Sequence, residues 1–231
     1  MQYLVHRGTS GDVSTDAAVV PRPRFHSFET FEGRLLPMQR LFVEVIKSQG
    51  VDHPIILDVG VGLGAPTLID LARELLQAGF KGATIVGIDA SEKVLEWTKL
   101  IFDQLRKKGE FPSGVEIILE HGDVCRQSED ACSPKSILKK VLPAGRLADI
   151  CFSSNLILGL PKELSPQAMT SLRDCVSSSG LLVLGAGNAC DQLHVEVFRP
   201  DSSQHFMSFD VRYGESDTQR ADRLRRILER V

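Results

Sequence analysis

Residues 55–64 read IILDVGVGLG, an apolar run that ends in an acid and opens into three alternating glycines. The run predicts a buried strand, and the glycines predict the sharp turn that leaves it. Residues without a Cβ allow that turn and let a ligand lie directly against the backbone. Over residues 66–77 the apolar positions then recur at helical spacing. Together these features predict a strand, a turn and a helix, with a nucleotide bound at the tip of the strand.

Two acidic residues help to decide which kind of nucleotide the turn would bind. With Ala65 included, the turn also satisfies the dinucleotide pattern G-x-G-x-x-G/A. Asp58, however, lies at the end of the strand, where a carboxylate suits a cation better than a pyrophosphate. Asp89 ends the next β-branched run and could accept hydrogen bonds from both hydroxyls of a ribose. It follows Gly60 by about 30 residues, later than the roughly 20 residues of the nicotinamide fingerprint.

This arrangement resembles the class I S-adenosylmethionine-dependent methyltransferases, in which a D/E-x-G-x-G-x-G turn holds the methionyl end of the cofactor. The matching residues in this sequence are Asp58, Gly60, Gly62 and Gly64. The resemblance implies that Asp89 holds the ribose, with Ala90 and Ser91 beside it. Ser91 also stands where an N-cap of the following helix belongs.

Two later runs extend the resemblance. Residues 115–124 look like the family's strand that ends in G-D-x, which implies that Asp123 accepts from the exocyclic amine of adenine and that Val124 packs or donates nearby. Residues 148–155 look like the family's fourth strand, which carries Ser153 into the cofactor and acceptor pocket. The implied cofactor is S-adenosyl-L-methionine, and the implied reaction is methyl transfer.

The alternation of strands and helices predicts an α/β fold with a doubly wound, mostly parallel sheet, which is the Rossmann-like methyltransferase fold. Residues 1–24 are predicted to form a mobile arm and residues 25–231 a single methyltransferase-like domain. That domain divides into an N-terminal helical cap (25–50), a cofactor-binding core (51–185), and C-terminal strands and a helix (186–231). Residues 165–177 are predicted as a helix. The C-terminal part is shortened, because the helix that the family usually places after the fifth strand is predicted to be missing or reduced to a loop.

The predicted cap carries aromatic residues that could either pin the first helix to the core or line an acceptor pocket. These residues are Phe25, Phe28 and Phe31. His26 lies among them and is the candidate catalytic base. Of the other histidines considered for that role, His121 is expected beside the adenine and His194 at the surface.

The residues after the predicted fourth strand indicate the class of acceptor. Residues 153–161 read SSNLILGLP and lack the N/D-P-P-Y/F box common in enzymes that methylate amide or ring nitrogens. They resemble the apolar, proline-ended loop of small-molecule O- and C-methyltransferases, which implies a hydrophobic small-molecule substrate. No metal site is predicted, because the acids of a catechol-type site are absent and Asn188 and Asp191 are a poor substitute.

Two alternative functions stay open. The first is a methyltransferase-fold protein without methyl transfer, such as a cyclase or isomerase in natural-product biosynthesis. The second is a regulatory partner subunit that docks through an amphipathic helix predicted over residues 220–231. The same helix makes a homodimer possible.

Composition excludes several other classes. The chain has 231 residues, 42% of them apolar, which suits one large α/β core. The net charge of −3 with dispersed Lys and Arg argues against a nucleic-acid partner. No stretch reaches the roughly 18 apolar residues of a membrane span, so no membrane partner is expected. Five cysteines without C-x-x-C spacing favour a reducing, cytoplasmic location.

Overall fold

A computed structural model of the chain describes residues 35–62, 65–154, 156–189, 192–201, 207–212, 216, 218–219, 222 and 225–226. The predicted arm (1–24) and the aromatic part of the predicted cap, with His26, lie outside the described residues. Gly64 and most of the predicted helix over 220–231 also lie outside them.

Six α-helices, one 3-10 helix (Pro143–Gly145) and seven strands have bounds within the described part of the chain. The helices are α1 (Leu36–Ser48), α2 (Ala65–Gln77), α3 (Glu92–Lys107), α4 (Pro134–Val141), α5 (Leu156–Gly159) and α6 (Ser165–Arg173). The strands are β1 (Ile55–Val59), β2 (Ala83–Asp89), β3 (Val115–His121), β4 (Ala148–Ser154), β5 (Val176–Ala189), β6 (Gln192–Phe198) and β7 (Met207–Arg212). None of the described helices is both long and apolar enough to cross a membrane.

The seven strands form one sheet in the order β3-β2-β1-β4-β5-β6-β7. Strands β1 to β5 pair in parallel, whereas β6 and β7 are each antiparallel to the strand before them. The predicted doubly wound, mostly parallel fold is therefore confirmed. The strand order reverses between β1 and β4, and sheets of this kind bind ligands in the crevice outside the carboxyl ends of the strands at such a point.

The central strands are apolar throughout because helices cover both faces of the sheet. Every residue of β1 is buried, with Ile56 in the core on the α1, α2 and α3 side and Leu57 in the core on the α4 and α6 side. Alternate side chains of one strand thus enter opposite cores. This burial on both faces fixes the register that brings the strand tips to one edge.

The C-terminal part differs from the prediction at one boundary. The predicted helix over residues 165–177 ends at Arg173, and β5 begins at Val176, which pairs with Ala148 of β4. The helical interpretation of Val176 and Ser177 was wrong because pairing with β4 outweighs the weak preferences of the serine-rich segment. Only residues 190–191 connect β5 to β6, so there is no room for the helix that the family usually places there. The prediction that this helix is missing or reduced to a loop is therefore confirmed for the connection between β5 and β6.

Candidate functional site

The glycine turn leaves β1 at the switch point and is bonded to the neighbouring strand tip. Gly60 has a φ of +80° and Gly62 a φ of +55°, a left-handed region that favours glycine. The Gly60 N–H donates to the carbonyl of Ile88 over 2.8 Å. The Gly62 N–H donates to the Asp89 carboxylate over 2.8 Å. The turn is therefore anchored to the end of β2.

Asp89 has a structural role that the sequence did not predict. Its Oδ2 accepts from the Gly62 N–H, and its Oδ1 accepts from the Ser91 N–H over 2.9 Å. Burial raises the pKa of Asp89 above its ordinary 3.8, against the opposing effects of those two N–H groups and of His121. A carboxylate oxygen has two lone pairs, so each Asp89 oxygen keeps one for a further donor.

The residues after Asp89 form a short, well-anchored connection to α3. The Ser91 hydroxyl accepts from the Val94 N–H over 3.4 Å, which confirms the predicted N-cap. The Ala90 carbonyl accepts from His121 Nε2 at 3.1 Å. His121 therefore links the tips of β2 and β3. This is the region in which the sequence analysis places the adenine.

Asp58 of β1 and Ser153 of β4 lie on the two strands that flank the switch point, one residue step apart. Asp58 pairs in register with Gly87 of β2 and Phe152 of β4, and it is only 4% exposed. The buried Ser153 hydroxyl donates to the Val59 carbonyl over 2.8 Å. Ser153 therefore holds β4 against the end of β1.

Helix α5 forms a wall of the crevice beside the glycine turn. A Cβ built on Gly60 would lie 3.2 Å from Leu156 Cδ2, so this leucine packs directly over the glycine. A Cβ built on Gly62 would meet nothing within 4 Å. Among the described residues the space beside Gly62 is thus open.

Asp123 and Val124 follow β3 but face different surroundings. The Asp123 carboxylate accepts from the Cys125 N–H over 2.8 Å and lies 3.4 Å from Arg126 Nε, so it stabilises its own turn. Val124 is buried in the core beside α4. Burial, and then the adjacent Asp123, raise the pKa of the Cys125 thiol to about 11, so this thiol stays protonated at neutral pH.

Gly122 allows this turn to approach α4 closely. A Cβ there would lie 2.8 Å from the Cys132 carbonyl oxygen and 2.9 Å from Ile88 Cγ2, and would also collide with Ile137 Cδ1.

We expect Gly122→Ala to lower the free energy of unfolding by about 1–3 kcal/mol, as measured by urea denaturation. Ile137→Val removes one colliding atom, so the double variant should lose less stability than the two single losses added together. Strictly additive losses would contradict this packing.

The sequence did not predict a polar groove of about 470 Å³ beside this turn. The groove is lined by Cys125, Arg126, Gln127, Glu129, Asp130 and Gln167. Hydrogen bonds fix its loop to α6, including Ser171 Oγ to the Arg126 carbonyl at 3.0 Å and Ser128 Oγ to Asp174 at 2.8 Å. Sequence alone indicated only a polar surface element here, because these contacts join residues more than 40 positions apart.

A histidine–carboxylate pair also became visible only in the structure. His194 Nδ1 lies 2.8 Å from Asp210 Oδ1, because β6 and β7 place these two residues directly opposite each other. Within the described ranges no group of three or more His, Cys, Asp or Glu side chains could hold a metal ion.

The strand order and the site define the class of the fold, a doubly wound α/β sheet with a glycine turn and acids at the tips of adjacent parallel strands. No family model and no curated protein sequence matches the chain. Solved structures of S-adenosylmethionine-dependent methyltransferases are similar to it in fold.

Three of these structures illustrate the likeness, each with a TM-score of 0.41. A methyltransferase from Clostridium acetobutylicum is 12% identical over 84% of this chain and 78% of its own. The magnesium protoporphyrin IX methyltransferase of Synechocystis, with bound SAM, is 17% identical over 65% of this chain and 59% of its own. Human N-acetylserotonin methyltransferase, in complex with SAM, is 15% identical over 66% of this chain and 34% of its own.

The chain thus spans less than two thirds of the length of the Synechocystis and human enzymes. At this level of identity and TM-score the matches carry no argument about function. The strand order and directions define the fold.

Proposed function

We propose that this chain binds S-adenosyl-L-methionine in the crevice and transfers its methyl group to an oxygen or carbon of a hydrophobic small molecule. The observation that supports this most is the joint position of Gly62 and Asp89. The backbone N–H of the glycine turn and the acid of β2 are hydrogen-bonded at the tips of β1 and β2, beside the switch point, and ligands of such sheets bind at this edge.

The residues at the crevice fit this cofactor. The open space beside Gly62 suits a ligand lying against the backbone. The remaining lone pairs of Asp89 can accept from two ribose hydroxyls without breaking its bonds to the protein. Asp58 offers a carboxylate for the cationic methionyl end. Asp123 would lie toward the adenine, and Val124, whose side chain is in the core, would contribute its backbone N–H nearby. Gly64, Ala90, Ser91 and Ser153 complete the proposed set, with Ser153 acting through the β4–β1 bond.

When bound, the cofactor supplies a methyl group that is already activated as a sulfonium. The chain's own task is therefore to orient two reactants and exclude water. Leu156, Ile157 and Leu160 give the crevice a partly buried apolar side, which favours a hydrophobic acceptor. We retain the predicted cap with His26 as part of the proposal, although it lies outside the described residues.

The raised pKa of Asp89 predicts how cofactor binding depends on pH. As the pH falls through that pKa, the carboxylate gains a proton and becomes a poorer acceptor for hydroxyl donors. We expect the affinity for S-adenosylhomocysteine to be constant near neutral pH and to fall in acid, beginning above the pH at which an ordinary aspartate titrates. Calorimetry at a series of pH values measures this affinity, and circular dichroism checks at each pH that the chain is folded. In Asp89→Asn this fall should be absent, and a fall of the same size there would assign it to another group.

Mass spectrometry of reaction mixtures tests the reaction type. Purified chain, S-adenosylmethionine and a panel of phenols and enols should give products heavier by one methyl group. A rearranged product of unchanged mass would favour a cyclase or isomerase. No product in the presence of bound cofactor would favour a regulatory subunit.

A further inference from the structure

His194 lies on the same edge of the sheet as the glycine turn. Ser154, the last residue of β4, pairs with Gly185 of β5, and the next residue of β5, Ala186, pairs with His194. His194 is therefore one residue beyond the end of β4, at the carboxyl edge that also carries Gly60. Its side chain is 34% exposed and so accessible to a small molecule.

The hydrogen bond to Asp210 leaves one particular ring nitrogen available. A carboxylate only accepts, so the 2.8 Å contact requires a hydrogen on His194 Nδ1. Nε2 is then the nitrogen that can take a proton. Glu196 lies 3.8 Å from Nε2, too far for a hydrogen bond. An imidazole oriented by a carboxylate in this way is the arrangement of a general base.

The other described histidines are not placed for this role. His53 Nε2 lies 3.1 Å from the Thr84 hydroxyl, at the amino edge of the sheet, and His121 Nε2 is bonded to the Ala90 carbonyl. His121 is held by a backbone carbonyl, with its Nδ1 3.9 Å from Glu92, whereas His194 is the described histidine at the carboxyl edge that a carboxylate orients through a hydrogen bond.

An apolar surface lies between the switch point and His194. Leu184 pairs with Ser153 on one side and with Glu196 on the other, so it lies on the same sheet face as His194. Leu156, Ile157 and Leu160 pack against the core of that face. Two strand spacings, about 10 Å, separate β4 from β6 with β5 between them, so an aromatic ring lying over this face of β5 would span from the end of β4 to His194.

We propose that His194, in place of His26 of the predicted cap, is the catalytic base of this site, oriented by Asp210, and that the acceptor is an aromatic or enolic molecule with an acidic hydroxyl. This rests on the function proposed above. His194 Nε2 takes the hydroxyl proton, and the electron pair of the O–H bond stays on the acceptor oxygen as an oxyanion. The imidazolium later returns the proton to solvent. Asp210 is a positioning residue that fixes the reactive nitrogen.

The proton transfer can be observed without turnover, using 4-nitrophenol as the probe because its phenolate absorbs visible light. The probe is added to the chain with S-adenosylhomocysteine, at a pH about one unit below the pKa of the phenol. We expect an increase in phenolate absorbance in the wild type, reduced at least about tenfold in His194→Gln. Ser208→Ala, on the same face of β7, is the matched control and should behave as the wild type.

The positioning role of Asp210 is tested by the tautomer of His194, which a loss of packing alone would not change. Nitrogen-15 NMR of the histidine rings should show His194 with its hydrogen on Nδ1 in the wild type. Asp210→Asn should shift that hydrogen toward Nε2 and reduce the phenolate signal, while the circular dichroism spectrum stays unchanged. An unchanged tautomer in Asp210→Asn would overturn the positioning role.

Failure of His194 as the base and failure of the proposed methyltransferase function give different results. No phenolate increase in the wild type, or an equal increase in His194→Gln, overturns the assignment of the base. A signal lost in His26→Ala but kept in His194→Gln assigns the base to His26 instead. If calorimetry shows that S-adenosylhomocysteine does not bind, the proposed function fails, and the phenolate signal measured without it still decides whether His194 takes the proton.

Discussion

Gly62→Val is expected to abolish S-adenosylmethionine binding while leaving the fold intact. The valine methyls would occupy the open space beside the turn, where the methionyl end of the cofactor must lie. We expect calorimetry to show affinity weakened at least about a hundredfold, equivalent to about 2.7 kcal/mol. The left-handed backbone should separately lower the free energy of unfolding by about 1–2 kcal/mol.

Gly109→Val is the matched control for that strain. Gly109 has a φ of +69° and also has nothing within 4 Å of a built Cβ, but it follows α3 at the opposite edge of the sheet. The control should lose similar stability and bind the cofactor as the wild type does. Equal affinities in the two variants would show that the cofactor does not lie against Gly62.

Asp89→Ala is expected to weaken both cofactor binding and the fold. Hydrogen bonds to a charged acceptor contribute about 1.5–3 kcal/mol each, so losing two ribose contacts should reduce affinity at least about tenfold. The same change leaves the N–H groups of Gly62 and Ser91 without their acceptor. We therefore also expect a lower midpoint of thermal unfolding.

Asp89→Asn separates the two effects. The amide oxygen can still accept from one backbone N–H, whereas the amide nitrogen cannot accept from the other. Its losses in affinity and in stability should therefore lie between those of the wild type and of Asp89→Ala. Loss of stability in Asp89→Ala without any loss of affinity would mean that Asp89 holds only the turn.

The sequence predicted the parts of the fold that depend on local pattern. The glycine turn, the alternation of strands and helices, and the N-cap at Ser91 follow from residue type and spacing. The reduced connection after β5 was also predicted, because the next run that resembles a strand begins at His194 without an intervening helical pattern. The end of α6 was predicted too late because pairing of Val176 with β4 is not visible in the chain itself.

For the site, the sequence could predict which residues reach the carboxyl edge of the sheet, but not the contacts that they make there. That Asp89 bonds Gly62 depends on the distance between two strand tips, and that Ser153 bonds Val59 depends on the register of β4 against β1. Pairing of His194 with Asp210 likewise requires the register of β6 against β7. These contacts are tertiary, so residue type alone suggested roles without partners.

Calorimetric titration of the wild-type chain with S-adenosylmethionine, alongside a titration with NAD, tests the central claim most directly. We expect saturable binding of one S-adenosylmethionine per chain, displaced by S-adenosylhomocysteine, and no binding of NAD. Saturable binding of NAD, or no heat from S-adenosylmethionine at millimolar concentration with a folded chain, would contradict it.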